Sequence, residues 1–131
     1  MAKRTVLLVE DSDAVRCTFA ALLDGDGHQV IEARTLAEAR AFLAASIVDD
    51  AGRRGFDVAI VDQHLPDGHG TALSAEIRRH HPGVAIILMS GADLGIPVET
   101  IDLVVDKSRA PDQVMALAED VIAVRRAEQR R

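Results

Sequence analysis

Residues 56–70 read FDVAIVDQHLPDGHG, and this stretch decides the fold. Its first half is a short apolar run, and its second half carries the proline and glycine residues that interrupt regular structure. An apolar run of this length before such residues predicts a buried β-strand that ends at Asp62. In an open α/β sheet, ligands bind at the carboxyl ends of the strands. Asp62 is therefore the first candidate for a functional residue.

Three other apolar runs also end in polar or charged residues. They are 6–9 before Glu10 and Asp11, 84–89 before Ser90, and 103–105 before Lys107. Parallel strands would bring these ends to one edge of the sheet. Three carboxylates, a hydroxyl and a lysine at that edge suggest a site for a metal ion and a phosphoryl group.

The order of the apolar patterns predicts five strands that alternate with helices. We expect strands at about 5–9, 28–33, 57–61, 84–89 and 102–105, and helices at about 13–24, 35–47, 70–80 and 111–126. Strict alternation predicts a parallel sheet with helices on both faces. Between the last two strands, Gly95 and Pro97 make a regular helix hard to sustain, so we expect that helix to be shortened or irregular.

Helical spacing also predicts which side chains face the core. The expected core residues are Val15, Phe19, Leu22 and Leu23 on the first helix, and Val114, Leu117, Val121 and Val124 on the last. Cys17 is expected to pack against the fold, and the polar stretch 49–55 to form an exposed loop. The arginines of the C-terminus are expected to be solvated and to complement the helix dipole; they are Arg125, Arg126, Arg130 and Arg131.

The composition limits the class of protein. The 131 residues allow one domain with a core of its own, and the 48% apolar content is almost entirely aliphatic. A net charge of −6 and the absence of Trp and Tyr disfavour direct binding to DNA, to single-stranded nucleic acid or to anionic membranes. The single cysteine, Cys17, rules out an internal disulfide and indicates a reducing cytoplasm. No apolar run approaches the roughly 20 residues that span a bilayer, and no signal peptide precedes the first strand.

Each of these polar residues follows a strand, and their order along the chain resembles that of the receiver domain of two-component response regulators. The matching pieces are Glu10-Asp11, Asp62 followed by 65–70, Ser90-Gly91 and Lys107. The resemblance covers essentially the full length and implies one receiver domain over 1–131, with a core at about 4–124 and a basic C-terminal tail at 125–131. It also implies a doubly wound, flavodoxin-like parallel sheet with the strand order 2-1-3-4-5.

The resemblance implies that Asp62 accepts a phosphoryl group from a sensor histidine kinase or a phosphotransfer protein. Asp11 and Asp62 would bind Mg²⁺ directly, Mn²⁺ being able to replace it, and Glu10 would bind directly or through a water. The backbone carbonyl of His64 would be a further metal ligand. Lys107 would offer a point charge to a phosphoryl oxygen, and Ser90 would donate a hydroxyl hydrogen bond to another. The side chains of His64 and His69 are read as exposed loop residues.

As a whole protein of this kind, the chain would be cytoplasmic and would catalyse only its own phosphorylation and dephosphorylation. It would signal by docking onto a downstream protein, without direct DNA binding or membrane insertion, and possible dimerisation is part of the expectation. Two departures from the family pattern affect this coupling. Ser108 stands where a proline usually follows the lysine, and Val104 stands where an aromatic residue usually lies.

Other interpretations remain open at this point. Glu10 and Asp11 could simply begin the first helix, where acidic residues are favourable. The chain could be a degenerate receiver that acts only as a binding module. A phosphatase of the haloacid dehalogenase type also places an aspartate after a strand, but it needs a second acid two residues later, where this chain has His64.

Overall fold

The computed structural model describes residues 3–45, 55–91 and 99–130. Its strands are β1 (Thr5–Val9), β2 (Gln29–Ala33), β3 (Val58–Asp62), β4 (His64–Leu65), β5 (Gly68–His69), β6 (Ala85–Met89) and β7 (Leu103–Val105). Its helices are α1 (Asp13–Gly25), α2 (Leu36–Ala45), α3 (Gly70–His80) and α4 (Pro111–Gln129). The order β2-β1-β3-β6-β7 makes a five-stranded sheet, and β4 pairs with β5 in a separate two-stranded ribbon.

All neighbours in the five-stranded sheet are parallel, and their register aligns the carboxyl ends of the strands. Val9 lies opposite Val61, Asp62 lies opposite Met89, and Met89 lies opposite Val105. The residues that follow β1, β3, β6 and β7 therefore meet at one edge of the sheet. The predicted fold class, with its strand order of 2-1-3-4-5 for the five main strands, is confirmed.

Alternate side chains of each central strand enter two separate cores. One core joins the sheet to α1 and α4 through residues such as Leu8, Phe19 and Met115. The other joins the opposite face to α2 and α3 through residues such as Leu7 and Leu73. Because both faces are covered, β1, β3 and β6 read as continuous aliphatic runs rather than as alternating patterns.

The predicted core face of α1 is wrong in two positions. Phe19 and Leu23 are buried, but Val15 is 37% exposed and Leu22 is 52% exposed. The structure buries Arg16 and Ala20 instead. Arg16 is drawn inward because its guanidinium donates to the backbone carbonyl of Glu10 at 3.1 Å, an attraction that an apolar spacing rule does not detect.

The predicted core face of α4 is also shifted. Val114 is buried as expected, but Val124 is 59% exposed. The buried stripe continues through Met115, Ala118 and Ile122, while Leu117 and Val121 pack only at its border. The stripe at 114, 115, 118 and 122 is itself a helical repeat, so the sequence contains two overlapping apolar faces, and α4 buries the one that the spacing did not predict.

Arg125 and Arg126 lie near the end of a helix, as expected, but the expectation that they are solvated is wrong. Both lie in α4, which continues to Gln129. Arg125 forms a short ion pair with Asp102, which precedes β7, and Arg126 donates to Asp57 Oδ1 at 2.7 Å. The end of α4 passes over the amino ends of these strands, so the two guanidinium groups neutralise carboxylates there instead of extending into solvent.

Three further expectations have different outcomes. Cys17 is exposed rather than packed. The loop predicted at 49–55 and the irregular helix predicted within 91–101 fall largely on residues 46–54 and 92–98, which lie outside the described residues. Within the described ranges, no helix combines the length and the apolar character needed to cross a membrane.

Candidate functional site

Three carboxylates meet at the carboxyl edge of the sheet. Glu10 and Asp11 follow β1, and Asp62 is the last residue of the neighbouring strand β3. One carboxylate oxygen from each of the three lies within 4.8 Å of the others. Glu10 and Asp62 are each 1% exposed, whereas Asp11 is open to solvent. The structure therefore brings together the acidic residues that the sequence singled out.

Lys107 places its ammonium group against this acidic cluster. Its Nζ lies 3.0 Å from Asp62 Oδ2 and 3.7 Å from Glu10 Oε2. Partial burial lowers the pKa of Lys107, but the hydrogen bond to Asp62 and the charges of Asp62, Glu10 and Asp11 outweigh it and leave that pKa raised. Lys107 therefore stays protonated and neutralises part of the negative charge.

The environment of the Glu10 carboxylate opposes its ionisation. Burial, followed by the negative charge of Asp62, raises the pKa of Glu10 to about 7. The hydrogen bond that the Ser12 backbone N–H donates to Glu10 Oε1 at 3.2 Å and the charge of Lys107 act in the opposite direction. Two buried carboxylates this close repel each other unless a cation or a proton lies between them.

The donor set fits a hard divalent cation. Glu10 Oε2 is buried and accepts no hydrogen bond from the part of the chain that the structure describes. A buried carboxylate oxygen without a hydrogen bond is unfavourable, and a metal ion would satisfy it. All side-chain donors in the cluster are oxygens, which is the preference of Mg²⁺. Glu10, Asp11 and Asp62 are therefore the residues that could hold such an ion.

The loop after Asp62 is fixed by backbone contacts. The backbone N–H of His64 donates to Asp62 Oδ1 at 3.3 Å, and the backbone N–H of Gly70 donates to the carbonyl of Gln63 at 2.9 Å. A Cβ on Gly70 would collide with the backbone carbonyl of Asp62 and would approach Val61 Cγ1 to 2.9 Å. Only glycine permits this close return of the chain past the backbone of Asp62.

Ser90 reaches the same edge from the next strand. It directly follows Met89, the residue opposite Asp62, and it is 4% exposed. Its backbone N–H donates to the carbonyl of Val105 at 3.0 Å, which ties it to the strand that leads to Lys107. Ser90 thus lies where the sequence placed it. His64 lies two residues beyond Asp62, and its side chain is exposed, as is that of His69.

Sequence reasoning missed the role of Asp67. Its Oδ1 accepts from the backbone N–H of Leu36 at 2.9 Å, and its Oδ2 accepts from that of Ala37 at 3.0 Å. The carboxylate thereby caps the start of α2 and ties it to the loop after Asp62. These hydrogen bonds, to Leu36 first, lower the pKa of Asp67. Leu36 and Ala37 lie 31 and 30 residues before Asp67 in the chain, so no local sequence pattern indicates these hydrogen bonds.

The sequence also matches a known protein family. A family model described as "Response regulator receiver domain" matches residues 6–102. This chain belongs to the response regulator receiver domain family. The matched range includes Glu10, Asp11, Asp62 and Ser90, and Lys107 follows shortly after it.

This receiver domain is similar to segments of longer bacterial proteins. It is 37% identical over 87 residues to the sensor kinase CckA of Brucella abortus (strain 2308), a match that covers 66% of this chain and 9% of that protein. It is 33% identical over 97 residues to the KDP operon transcriptional regulatory protein KdpE of Escherichia coli (strain K12), covering 74% of this chain and 40% of the relative. The receiver domain therefore spans less than half the length of these relatives.

Solved structures carry the same fold. The signal receiver domain of an HD domain-containing protein from Pseudomonas fluorescens Pf-5 superposes with a TM-score of 0.79 at 22% identity. The alignment covers 100% of this chain and 96% of that one. At this identity the likeness establishes the architecture of the receiver domain.

Proposed function

We propose that this receiver domain takes a phosphoryl group from a sensor histidine kinase or a phosphotransfer protein onto Asp62, in the presence of Mg²⁺. The proposal rests on the groups that surround the Asp62 carboxylate. It is buried at a strand end, has Lys107 Nζ at 3.0 Å and shares its edge with two more carboxylates within 4.8 Å. A structural aspartate at a turn needs none of these neighbours.

The reaction is a phosphoryl transfer between a phosphohistidine and a carboxylate. An Asp62 oxygen forms the new O–P bond, the N–P bond of the donor breaks, and the donor imidazole leaves with the bonding electrons. The product is an acyl phosphate. A carboxylate is a weak nucleophile toward phosphorus, so the site must neutralise the charge of the transferring group and align it.

The residues of the chain divide this work. Lys107 offers its charge to a phosphoryl oxygen, and Ser90 offers a hydroxyl hydrogen bond to another. Glu10 and Asp11, together with Asp62 and the backbone carbonyl of His64, are the proposed ligands of the cation. When bound, Mg²⁺ or Mn²⁺ supplies positive charge and orientation at the transferring group.

We further propose that the phosphorylated domain signals by docking onto another protein in the cytoplasm and not by contacting DNA. The net charge of −6 disfavours direct contact with DNA. One relative with a similar segment is a sensor kinase, which favours a protein partner. Its own catalysis would be confined to its phosphorylation and dephosphorylation. A dimeric signalling state belongs to the same proposal.

The test is the intact mass of the protein after incubation with a small-molecule phosphodonor or a cognate kinase. We expect one phosphoryl group per chain with Mg²⁺ and none with a chelator or in Asp62→Asn. Asp106→Asn is the matched control, because Asp106 is an exposed aspartate near Lys107 whose side chain accepts from the Ser108 backbone instead of joining the cluster. Label that persists in Asp62→Asn would sink the assignment. Partner binding without any label would instead indicate a pure binding module.

A further inference from the structure

The ribbon directly after the site carries two histidines side by side. Strands β4 and β5 are antiparallel, and their register places His64 opposite His69. Directly opposed residues of an antiparallel pair have Cβ atoms about 4.5–5.5 Å apart on the same face. The two ring centroids lie 5.9 Å apart with an interplanar angle of 72°, and both residues are exposed.

Neither imidazole has another task in the described part of the chain. His69 occupies the N-cap position of α3, but its side chain makes no capping hydrogen bond. His64 contributes its backbone N–H to Asp62, while its ring contacts only the ring of His69 among the described aromatic pairs. Serine, threonine, asparagine or aspartate would cap α3 better than His69, so the local demands of the helix do not explain this residue.

We propose that His64 and His69 form a chelating site for a divalent cation of the zinc class, with water completing the coordination. Imidazole nitrogens are preferred ligands of Zn²⁺, at about 2.0–2.1 Å. Two imidazoles on one tetrahedral ion at that distance have ring centroids about 5 Å apart. The observed 5.9 Å requires the exposed rings to approach by less than about 1 Å, which side-chain rotation provides.

The ribbon holds the pair in place on its other face. Leu65 is 9% exposed and belongs to the core, and a Cβ on Gly68 would lie 2.7 Å from Leu36 Cδ1. Because Leu65 pairs with Gly68, and His64 with His69, the buried face fixes the register that opposes the histidines. The backbone therefore sets the spacing of the two histidines before any ion arrives, which reduces the entropy lost on binding.

This site differs in chemistry from the acidic cluster. The cluster offers carboxylate oxygens, which suit Mg²⁺, whereas the histidine pair offers two nitrogens, which Mg²⁺ disfavours. Both cations could therefore be bound at once. Since the His64 backbone also donates to Asp62 Oδ1, an ion on the ribbon would restrain the loop that carries the carboxylate.

Isothermal titration of the whole chain with Zn²⁺, in the presence of saturating Mg²⁺, tests the proposal. We expect one Zn²⁺ per chain, and loss of this binding in both His64→Gln and His69→Gln. His80→Gln is the matched control, because His80 is an exposed histidine at the far end of α3. In NMR spectra, the ring protons of the two ribbon histidines should shift with Zn²⁺ while those of His80 do not.

The outcome is separable from the proposed phosphorylation. Asp62→Asn should keep the Zn²⁺ site, because neither proposed ligand is changed, whether or not Asp62 accepts a phosphoryl group. Absence of Zn²⁺ binding in the unaltered chain would overturn the proposal. Binding that survives both histidine substitutions but disappears in Asp11→Ala would also overturn it, since the ion would then occupy the acidic cluster.

Discussion

Replacing Glu10 by glutamine should change how the stability of the metal-free protein depends on pH. Glu10 is 1% exposed and lies beside Asp62, and burial together with that charge raises its pKa to about 7 from 4.5. Glutamine keeps the shape of the side chain and removes the proton equilibrium. The difference between the two proteins therefore isolates the contribution of this one carboxyl group.

The direction follows from proton linkage. Between about pH 4.5 and 7, the folded chain holds a proton on Glu10 that the unfolded chain has already lost. The free energy of unfolding therefore falls as pH rises through this window. The stabilisation is fully present below the unfolded pKa and is lost once the pH exceeds about 7.

The size of the effect has an upper limit set by the pKa shift. A shift from 4.5 to about 7, at about 1.4 kcal/mol per pH unit, corresponds to a loss of about 3 kcal/mol. Asp11 and Lys107 are exposed at the edge of the cluster, so water reaches the carboxylates. Water weakens the repulsion between the charges of Glu10 and Asp62. We therefore expect a loss of about 1–2 kcal/mol in the wild type between pH 5 and 8 that Glu10→Gln does not share.

Urea unfolding at a series of pH values, with a chelator present, measures this quantity directly. The wild-type free energy of unfolding should decline relative to that of Glu10→Gln as pH rises, and added Mg²⁺ should flatten the difference because ion binding favours the carboxylate. Parallel profiles of the two proteins without metal would refute the reasoning. They would mean that Glu10 titrates in its ordinary range despite its burial.

Substitutions at three further positions test separate parts of the site. Asp11→Ala should remove most of the Mg²⁺-dependent rise in melting temperature, because an exposed cation ligand is lost; an equal rise in variant and wild type would place the metal elsewhere. Asp67→Ala should lower the melting temperature, while Asp67→Asn, which keeps one acceptor for the amides at the start of α2, should lower it less; identical values for the two variants would contradict the capping role. Gly70→Ala should cost about 1–3 kcal/mol in urea unfolding and slow phosphorylation, because the new methyl group displaces the Asp62 backbone. Gly25→Ala is its control, since no atom lies within 4 Å of a Cβ there, and equal effects of both would exclude the clash.

The main features of the fold were predictable because they depend on short-range patterns. Each aliphatic strand ends in a distinct polar residue, so the alignment of Asp62 with Glu10, Ser90 and Lys107 followed from a parallel sheet alone. The small ribbon β4–β5 was not predicted. Its two-residue strands lie inside a stretch of breaker residues, where pattern reasoning predicts only a loop.

Features that depend on distant charges could not be predicted. Asp57 and Asp102 look like ordinary polar residues before strands, and Arg125 and Arg126 look like an exposed helix end. Only the path of α4 across the sheet brings these groups together. The burial of Arg16 could not be predicted either, because it depends on the backbone carbonyl of Glu10, which Arg16 reaches only when α1 packs along β1.

Arg125 and Arg126 of α4 pair with Asp102 and Asp57, which precede β7 and β3. These ion pairs limit where the protein can be shortened without loss of stability. A chain cut after residue 124 would lose Arg126 from Asp57 and would leave Asp102, 7% exposed, with Arg78 as its remaining guanidinium partner. Such a cut looks harmless from the apolar pattern, yet it would weaken the side of the domain remote from the carboxylate cluster. A fusion or truncation boundary placed beyond residue 129 keeps both arginines and the last turn of the helix that presents them.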